Sequence, residues 1–282
     1  MNFLDMFQKM VKQYPDRTAI VDFNGARHTT YRELWEKSLR VAAKLQSTEA
    51  AEGPVLVCMD RRAEYVAAEI GVMMAGASYV PLLPEYPRER VEYIRKDCGA
   101  AREINGAWME DIQQYEPAEA KTVSDMDRAL IVYTSGSTGR PKGIVHSHAS
   151  LFGGAMRNVK MLKFDEKECM AATAPLSFIV GIIEYFAILS AGGCTHILSD
   201  EVRKDVRLIE EYYVREGITC GFISPQMLRY FKYTGTSLKK VLTGSERLSR
   251  IKGNGYELYN LYGSSEATPL IAAFKVEEAM EN

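Results

Sequence analysis

Short apolar, β-branched runs alternate with stretches of helical periodicity along almost the whole of this 282-residue chain. That alternation restricts the fold more than any other feature. A strand followed by a crossover helix returns parallel to itself, so the pattern predicts an α/β architecture with mainly parallel sheets flanked by helices. Phe3, Phe7, Met10 and Val11 form an apolar stripe at helical spacing, and residues 18–23 read as a strand. Thr30 and Glu33 form a capping box that opens a helix with Leu34, Val41 and Leu45 inward. Strands are expected at 55–59 and 79–83, and a helix from about residue 63 that stops at Gly76. Pro87 opens a helix over 88–97 and Gly99 ends it. Residues 105–127 are polar and poorly periodic, and read as a surface connection with one short helix near 108–114. Later strands are expected near 144 and at 170–174, 195–198, 218–223, 240–242 and 257–261. Helices are expected from about 150, at 182–189, at 206–215 and after Pro225.

Composition excludes several classes. A net charge of −2 gives no electrostatic case for nucleic acid or for an anionic membrane surface. No apolar run is long enough to span a bilayer, and residues 1–10 mix acid and base unlike a signal peptide. Cys58, Cys98, Cys169, Cys194 and Cys220 are scattered and odd in number, and read as buried free thiols of a reducing, cytoplasmic compartment. His146 and His148 could ligate a metal from one face of a strand. No third Cys, Asp or His lies nearby, so a strand end leading into a helix is the preferred reading.

The chemistry-bearing feature is the run from Tyr133 to Gly143. Thr134, Ser135, Gly136, Ser137, Thr138 and Gly139 make a loop rich in hydroxyls and glycines, followed by Lys142. Glycine amides can converge on an anion, and hydroxyls and an ammonium add donors and charge, which suits the phosphates of a nucleotide. A solvated turn before a β-hairpin is the alternative for the run taken alone. It is not a Walker A loop, because Gly143 stands where a Ser or Thr would follow the lysine.

With its companions, this run resembles the signature of the adenylate-forming superfamily: acyl-CoA synthetases, adenylation domains of non-ribosomal peptide synthetases, and luciferases. Thr30 to Leu34 and Ala75 to Leu82 are similar to the first two family motifs. The stretch Leu242 to Glu246 resembles the nucleotide-contacting Gly-Gly-Glu, with Ser245 for the second glycine. Asn260 to Glu266 resembles the adenine-and-magnesium motif, with Ser265 for threonine. The resemblance spans nearly the whole chain and implies an acetyl-CoA synthetase-like N-terminal domain. It would have two α/β lobes, one built from residues 1–52 and 175–282 and the other from 53–174.

The resemblance also implies the reaction: a carboxylate attacks the α-phosphate of ATP, with magnesium, to give an acyl-adenylate and pyrophosphate. It assigns ATP contacts to Thr134, Ser135, Gly136, Ser137, Thr138, Gly139, Lys142, Ser245, Glu246, Asn260, Tyr262, Gly263 and Ser265. Glu266 is the implied magnesium ligand, and Lys142, Ser265 and Glu266 the implied catalytic residues. Tyr262 would stack on adenine, whereas an isolated tyrosine in that place would read as a core aromatic. The acceptor implied is coenzyme A or the phosphopantetheine of a carrier protein.

Two departures from the family pattern set further expectations. Amino-acid-activating relatives carry a Phe-Asp pair where this chain has Phe178-Ile179, ahead of Gly181. A buried ammonium without a partner costs several kcal/mol, so the expected substrate is an uncharged-tail aliphatic or aromatic acid rather than a standard α-amino acid. Second, the chain stops at Asn282 without the family's β-barrel and C-terminal domain, which carry the ribose-binding aspartate and a catalytic lysine. It is then a truncated piece, half of a split enzyme, or a degenerate relative, the first being favoured. Exposed apolar surface is expected near residues 255–282. A nucleotide- or acyl-binding module without turnover is the alternative function, and an unrelated phosphate-handling enzyme would leave the other motifs as coincidence.

Overall fold

The computed structural model describes residues 1–48, 53–135, 140–244, 246, 253–267 and 270–277. In chain order its elements are α1 (Phe3–Gln13), β1 (Thr18–Asp22), β2 (Arg27–Thr30), α2 (Tyr31–Gln46), β3 (Pro54–Cys58), α3 (Ala63–Met74), β4 (Ser78–Leu82) and α4 (Arg88–Cys98). Next come β5 (Arg102–Ile104), α5 (Gly106–Glu110), β6 (Arg128–Ser135), β7 (Pro141–Ser147), α6 (His148–Leu162) and β8 (Cys169–Ala172). They are followed by α7 (Ile188–Ala191), β9 (Cys194–Ile197), α8 (Asp200–Lys204), α9 (Val206–Arg215), β10 (Cys220–Phe222) and α10 (Pro225–Leu228). β11 (Lys240–Gly244), β12 (Glu257–Gly263) and β13 (Leu270–Lys275) complete the order.

The chain divides into two compact units. One comprises Met1–Arg17, Thr29–Gly153 and Pro175–Ile179; the other comprises Thr18–His28, Gly154–Ala174 and Val180–Asn282. The aromatic stripe of α1 accounts for the placement of the N-terminus: Phe7 packs within 5.9 Å of the Tyr31 ring and 5.7 Å of the Trp35 ring, both on α2.

The first unit holds a sheet of order β5-β3-β4-β6-β7, parallel except for the antiparallel β6–β7 hairpin. Local sequence explains its helices. The Thr30 hydroxyl accepts the Glu33 amide at 3.2 Å and the Glu33 carboxylate accepts the Thr30 amide at 2.7 Å, the expected capping box. Asn2 and Asp5 form a second such box at α1. Gly76 and Gly99 take the left-handed conformation, with φ of +80° and +71°, where α3 and α4 end. α3 is buried on every side. It lies against α2 through Gly71, where a Cβ would stand 2.5 Å from the Val41 Cβ and 2.7 Å from the Ser38 carbonyl oxygen. On the opposite part of this unit, α4 contributes Ile94 to a core with Leu56, Val80, Leu82, Ile131 and Tyr133.

The second unit holds a sheet of order β13-β12-β11-β10-β8-β9-β1-β2. The pairs from β1 through β9, β8, β10 and β11 to β12 are parallel, and β12–β13 is antiparallel. Ile209, Tyr212 and Tyr213 of α9 pack with Ile218, Phe231, Val241 and Leu258 on this sheet. The expected helix over 182–189 is wound as a π-helix over Ile182–Ala187 before α7, and Gly192 ends it at φ +84°.

Both sheets are therefore mixed, parallel with an antiparallel edge. Three strands were not legible in advance. β2 buries only Thr29, with Arg27 and His28 exposed. β5 has only Ile104 buried, so it shows no apolar run, and β13 alternates weakly, with Leu270 buried and Ile271 exposed. The 108–114 helix is split into α5 and a 3₁₀ turn over Ile112–Gln114. Near the end of the described chain, Tyr262, Ile271 and Phe274 expose 67%, 51% and 61% of their surface.

His146 and His148 sit where β7 passes into α6. His146 Nδ1 lies 3.3 Å from the Ser150 hydroxyl, and the His148 amide donates to the Asp127 carbonyl at 3.0 Å. Burial lowers the His148 pKa against the opposing pull of Asp127 and Asp125. The unfolded chain thus binds this proton more readily than the folded one, so the contribution to stability falls as pH drops below about 6.5.

Two outcomes follow. Replacing Gly71 by Val should lower unfolding free energy by about 1–3 kcal/mol, read by urea denaturation, because the helix backbones cannot part without opening the core. In His148→Gln, the fall in stability between about pH 6.5 and pH 5 should be shallower than in the parent, by at most about 1.4 kcal/mol per pH unit. Parallel pH slopes in the two proteins would contradict the assignment.

Candidate functional site

The β6–β7 hairpin presents the first set of motif residues. Thr134 lies opposite Lys142 and Ser135 opposite Pro141, so the Thr134 and Lys142 side chains leave the hairpin on one face. Lys142 and Ser135 are exposed and Thr134 is half-buried. The base of the hairpin is fixed from its other face. Tyr133 donates a 2.6 Å hydrogen bond to Asp97 of α4, and burial together with that carboxylate keeps the phenol protonated. Gly143 lies opposite Tyr133, and a Cβ there would come within 3.0 Å of its ring. The glycine that rules out a Walker A loop is therefore needed for the tyrosine to lie across the strand. Gly136, Ser137, Thr138 and Gly139 lie outside the described residues.

The second set lies in the other unit, at the carboxyl ends of adjacent parallel strands. Thr243 pairs with Asn260 and Gly244 with Leu261. Gly244 has no room for a side chain, since a Cβ would sit 2.5 Å from the Leu261 carbonyl oxygen. β12 then bulges between Tyr262 and Gly263 and passes into a 3₁₀ turn over Ser265–Ala267. Asn260 and Ser265 are half-buried, whereas Tyr262, Gly263 and Glu266 are exposed. The Arg157 guanidinium donates to the Ala267 carbonyl at 3.1 Å and holds that turn. Glu246 accepts a 3.1 Å bond from Gln226 of α10, so the strand ends at β10 and β11 are joined through side chains. Ser245 lies outside the described residues. The buried Thr243 hydroxyl, without a hydrogen-bond partner among the described residues, stands beside this cluster in sequence.

The stretch from Pro175 to Gly181 is divided between units and each part is built locally. Phe178 closes a turn onto the Pro175 carbonyl at 2.9 Å, and the Ser177 hydroxyl lies 3.0 Å from the Tyr86 hydroxyl. Arg90 stacks its guanidinium 4.1 Å above the Tyr86 ring. Phe178 is 52% exposed and Ile179 is 8% exposed. Gly181 abuts Tyr185, whose hydroxyl would stand 2.5 Å from a Cβ at that position. The next carboxylate along the chain is Glu184. One of its oxygens accepts the amides of Thr173 and Ala174, at 2.9 and 3.0 Å.

Glu184, Thr173, Tyr86, Asp97 and Gln226 were not singled out from the sequence. Their signal is positional rather than chemical: the fold sets Asp97 on Tyr133, Tyr86 on Ser177 and Gln226 on Glu246, and joins Glu184 to Thr173 at the end of β8. An open cleft lined by Lys44, Arg102, Glu103, Trp108 and Tyr115 contains none of the motif residues. Among the described residues, no group of three His, Cys, Asp or Glu side chains could hold a metal. A single exposed carboxylate such as Glu266 fits a hard cation bound chiefly by phosphates and water, rather than one caged by protein.

Comparison with known proteins agrees with this picture. The profile of the family described as AMP-binding enzyme matches residues 7–282. Bacitracin synthase 1 of Bacillus licheniformis is 31% identical over 98% of this chain, and surfactin synthase subunit 2 of Bacillus subtilis is 29% identical over 96% of it. The chain spans only 6% and 8% of the lengths of those two relatives. Among solved structures, the N-terminal subdomain of Klebsiella oxytoca NpsA, in complex with 3-hydroxyanthranilyl-AMSN, superposes with a TM-score of 0.87 at 22% identity. That match covers 98% of this chain and 76% of the other, and the non-ribosomal peptide synthetase FmoA3 gives a TM-score of 0.90 at 19% identity over 99% and 33%. The two mixed sheets with flanking helices are the fold of that N-terminal subdomain, and the chain belongs to the family of AMP-binding enzymes.

Proposed function

We propose that this chain is the N-terminal core of an ATP-dependent ligase that activates a carboxylic acid as its acyl-adenylate. The observation that carries this reading is the pairing of Thr243 and Gly244 with Asn260 and Leu261 at the carboxyl edge of one parallel sheet, where α/β proteins bind nucleotides. A substrate carboxylate oxygen attacks the α-phosphorus of ATP, the bond from that phosphorus to the bridging oxygen breaks, and pyrophosphate leaves. Lys142 and the Thr134 and Ser135 hydroxyls are assigned to the phosphates, together with Gly136, Ser137, Thr138 and Gly139. Ser245, Glu246, Asn260, Gly263 and Ser265 are assigned to the nucleotide, Ser265 at the α-phosphate, and Tyr262 to stacking on adenine. Magnesium, held by Glu266 and the phosphates, would neutralise charge on the leaving group.

The substrate assigned is an acid without an α-ammonium, with Phe178, Ile179 and Gly181 beside it. Ile179 offers no charge, and Glu184 already receives two backbone amides. NpsA, which shares the fold, is described in complex with 3-hydroxybenzoyl-AMSN as well as 3-hydroxyanthranilyl-AMSN, and both acyl groups are aromatic. The acceptor assigned is a carrier-protein phosphopantetheine. Its support is the synthetase relatives and the artificially fused NpsA-ThdA adenylation–PCP di-domain. Among the described residues no helix is long and apolar enough to cross a membrane, and a cytoplasmic location is assigned on the free thiols.

Calorimetric titration with magnesium-ATP tests the nucleotide assignment. Saturable binding should weaken about tenfold in Tyr262→Ala, the loss of one stacking interaction. Binding unchanged in a folded variant would count against it. For the acid, thermal shifts should rank a benzoyl-sulfamoyl adenosine above a phenylalanyl one. Ile179→Asp should move the preference about tenfold toward the amino-acyl compound by supplying a partner for its ammonium. The opposite ranking in the parent chain would overturn the substrate assignment while leaving the nucleotide assignment standing.

A further inference from the structure

β8 and β9 run side by side with Cys169 opposite Cys194 and Ala171 opposite His196. Register partners on parallel strands leave the sheet on the same face, so the two thiols are neighbours although 25 positions separate them in sequence. Cys169 packs on the cluster that contains Ile209, Tyr212 and Tyr213 of α9. His196, two residues beyond Cys194, shares that face. Its Nδ1 lies 2.9 Å from the Tyr212 hydroxyl, and the two rings meet edge to face at 5.8 Å. Tyr212 engages Nδ1, which leaves Nε2 as the free ring nitrogen on the face where Cys169 stands opposite Cys194. The nearest carboxylate, Glu168, is held by Lys240 at 2.6 Å and by the Thr219 hydroxyl at 3.2 Å, so its repulsion of a thiolate is offset.

These contacts separate the pair from the other thiols. The neighbouring Cys194 thiol, against the cost of burial, and then His196 hold Cys169 below the ordinary thiol range, while Cys169 raises Cys194. Burial, with Glu103 and Glu85, pushes Cys58 up to about 11. Burial also raises Cys98 and Cys220. Cys169 and Cys194 are half-buried, as are Cys58 and Cys98, and neighbouring strands lie about 4.8 Å apart, inside the roughly 4.4–6.8 Å between Cα atoms that a disulfide bridges.

We propose that Cys169 and Cys194 form a thiol modification site that reduces a hydroperoxide, with Cys169 the attacking thiolate and Cys194 the resolving thiol. The Cys169 sulfur attacks one peroxide oxygen, the O–O bond breaks, and the departing oxygen takes a proton and leaves as water or an alcohol. Cys169 is then a sulfenic acid. The Cys194 sulfur attacks it, the S–O bond breaks, and the hydroxide released carries off the Cys194 proton as water. Two thiols lose two electrons in all, and one hydroperoxide gains them. His196, oriented by Tyr212, is a positioning residue for the thiolate. This site lies at the amino ends of its strands, the end of the sheet opposite Thr243, Gly244, Tyr262 and Gly263, and does not depend on the ligase reading.

The test treats the whole chain, without nucleotide, with a slight excess of hydrogen peroxide at pH 7. Remaining thiols are then alkylated and the peptides mapped by mass. The expected result is an intramolecular Cys169–Cys194 bridge, with Cys58, Cys98 and Cys220 alkylated. Before oxidation, Cys169 should react with iodoacetamide at least tenfold faster than Cys58. In Cys194→Ser, dimedone should trap a sulfenic acid at Cys169, and His196→Asn should slow its formation about tenfold with the circular dichroism unchanged. Neither bridge nor dimedone adduct in a folded chain would overturn the proposal. An adduct in Cys194→Ser without a bridge in the parent would remove Cys194 from its resolving role.

Discussion

The site in the second unit depends on one constraint, the parallel hydrogen-bonded ladder that runs from β9 through β8, β10 and β11 to β12. Parallel strands cannot be joined by tight turns, so each must return through a crossover. All their carboxyl ends therefore emerge on the same edge. That edge receives Thr173, Ser224, Gly244 and the bulged end of β12. Segments far apart in the chain become neighbours there because the ladder admits only one register: Gly244 against Leu261 leaves no space for a side chain and Thr243 sits against Asn260.

Buried polar contacts then lock the loops that leave this edge. Glu184 illustrates the economy of such a group. Its carboxylate receives two amides at the end of β8, and its backbone carbonyl accepts the Thr195 hydroxyl of β9 at 2.7 Å. One residue thereby ties a helix to two strands, and satisfying both amides avoids the penalty of leaving buried donors unpaired. Tyr133 and Asp97 do the same for the hairpin of the first unit, where Gly143 gives the tyrosine ring its room. In both units the glycines are steric requirements of the supporting shell as much as of any ligand.

The chain's own departures gain meaning from this shell. Ile179 carries no charge, and the Glu184 carboxylate holds the Thr173 and Ala174 amides. The same parallel ladder that assembles the motif edge also brings Cys169 against Cys194 at its other end. A parallel register has no preference for function. It juxtaposes whatever residues the strands carry, and here it makes a dithiol beside an imidazole from cysteines that look isolated in sequence.

The amino-acid sequence alone determined the succession of elements, the capping box at Thr30 and Glu33, the glycine stops at Gly76 and Gly99, and the family motifs from Thr134 to Glu266. These are local: each depends on backbone preference, periodicity or a contiguous run, and all of that is written within a few residues. Tertiary structure decided the antiparallel edges β7 and β13, the brief β5, the winding of Ile182–Ala187, the partners of Tyr133 and Glu184, and the pairing of Cys169 with Cys194. Those depend on which strand lies beside which and in what register. Register is settled by packing over the whole sheet, and no short window of sequence contains it.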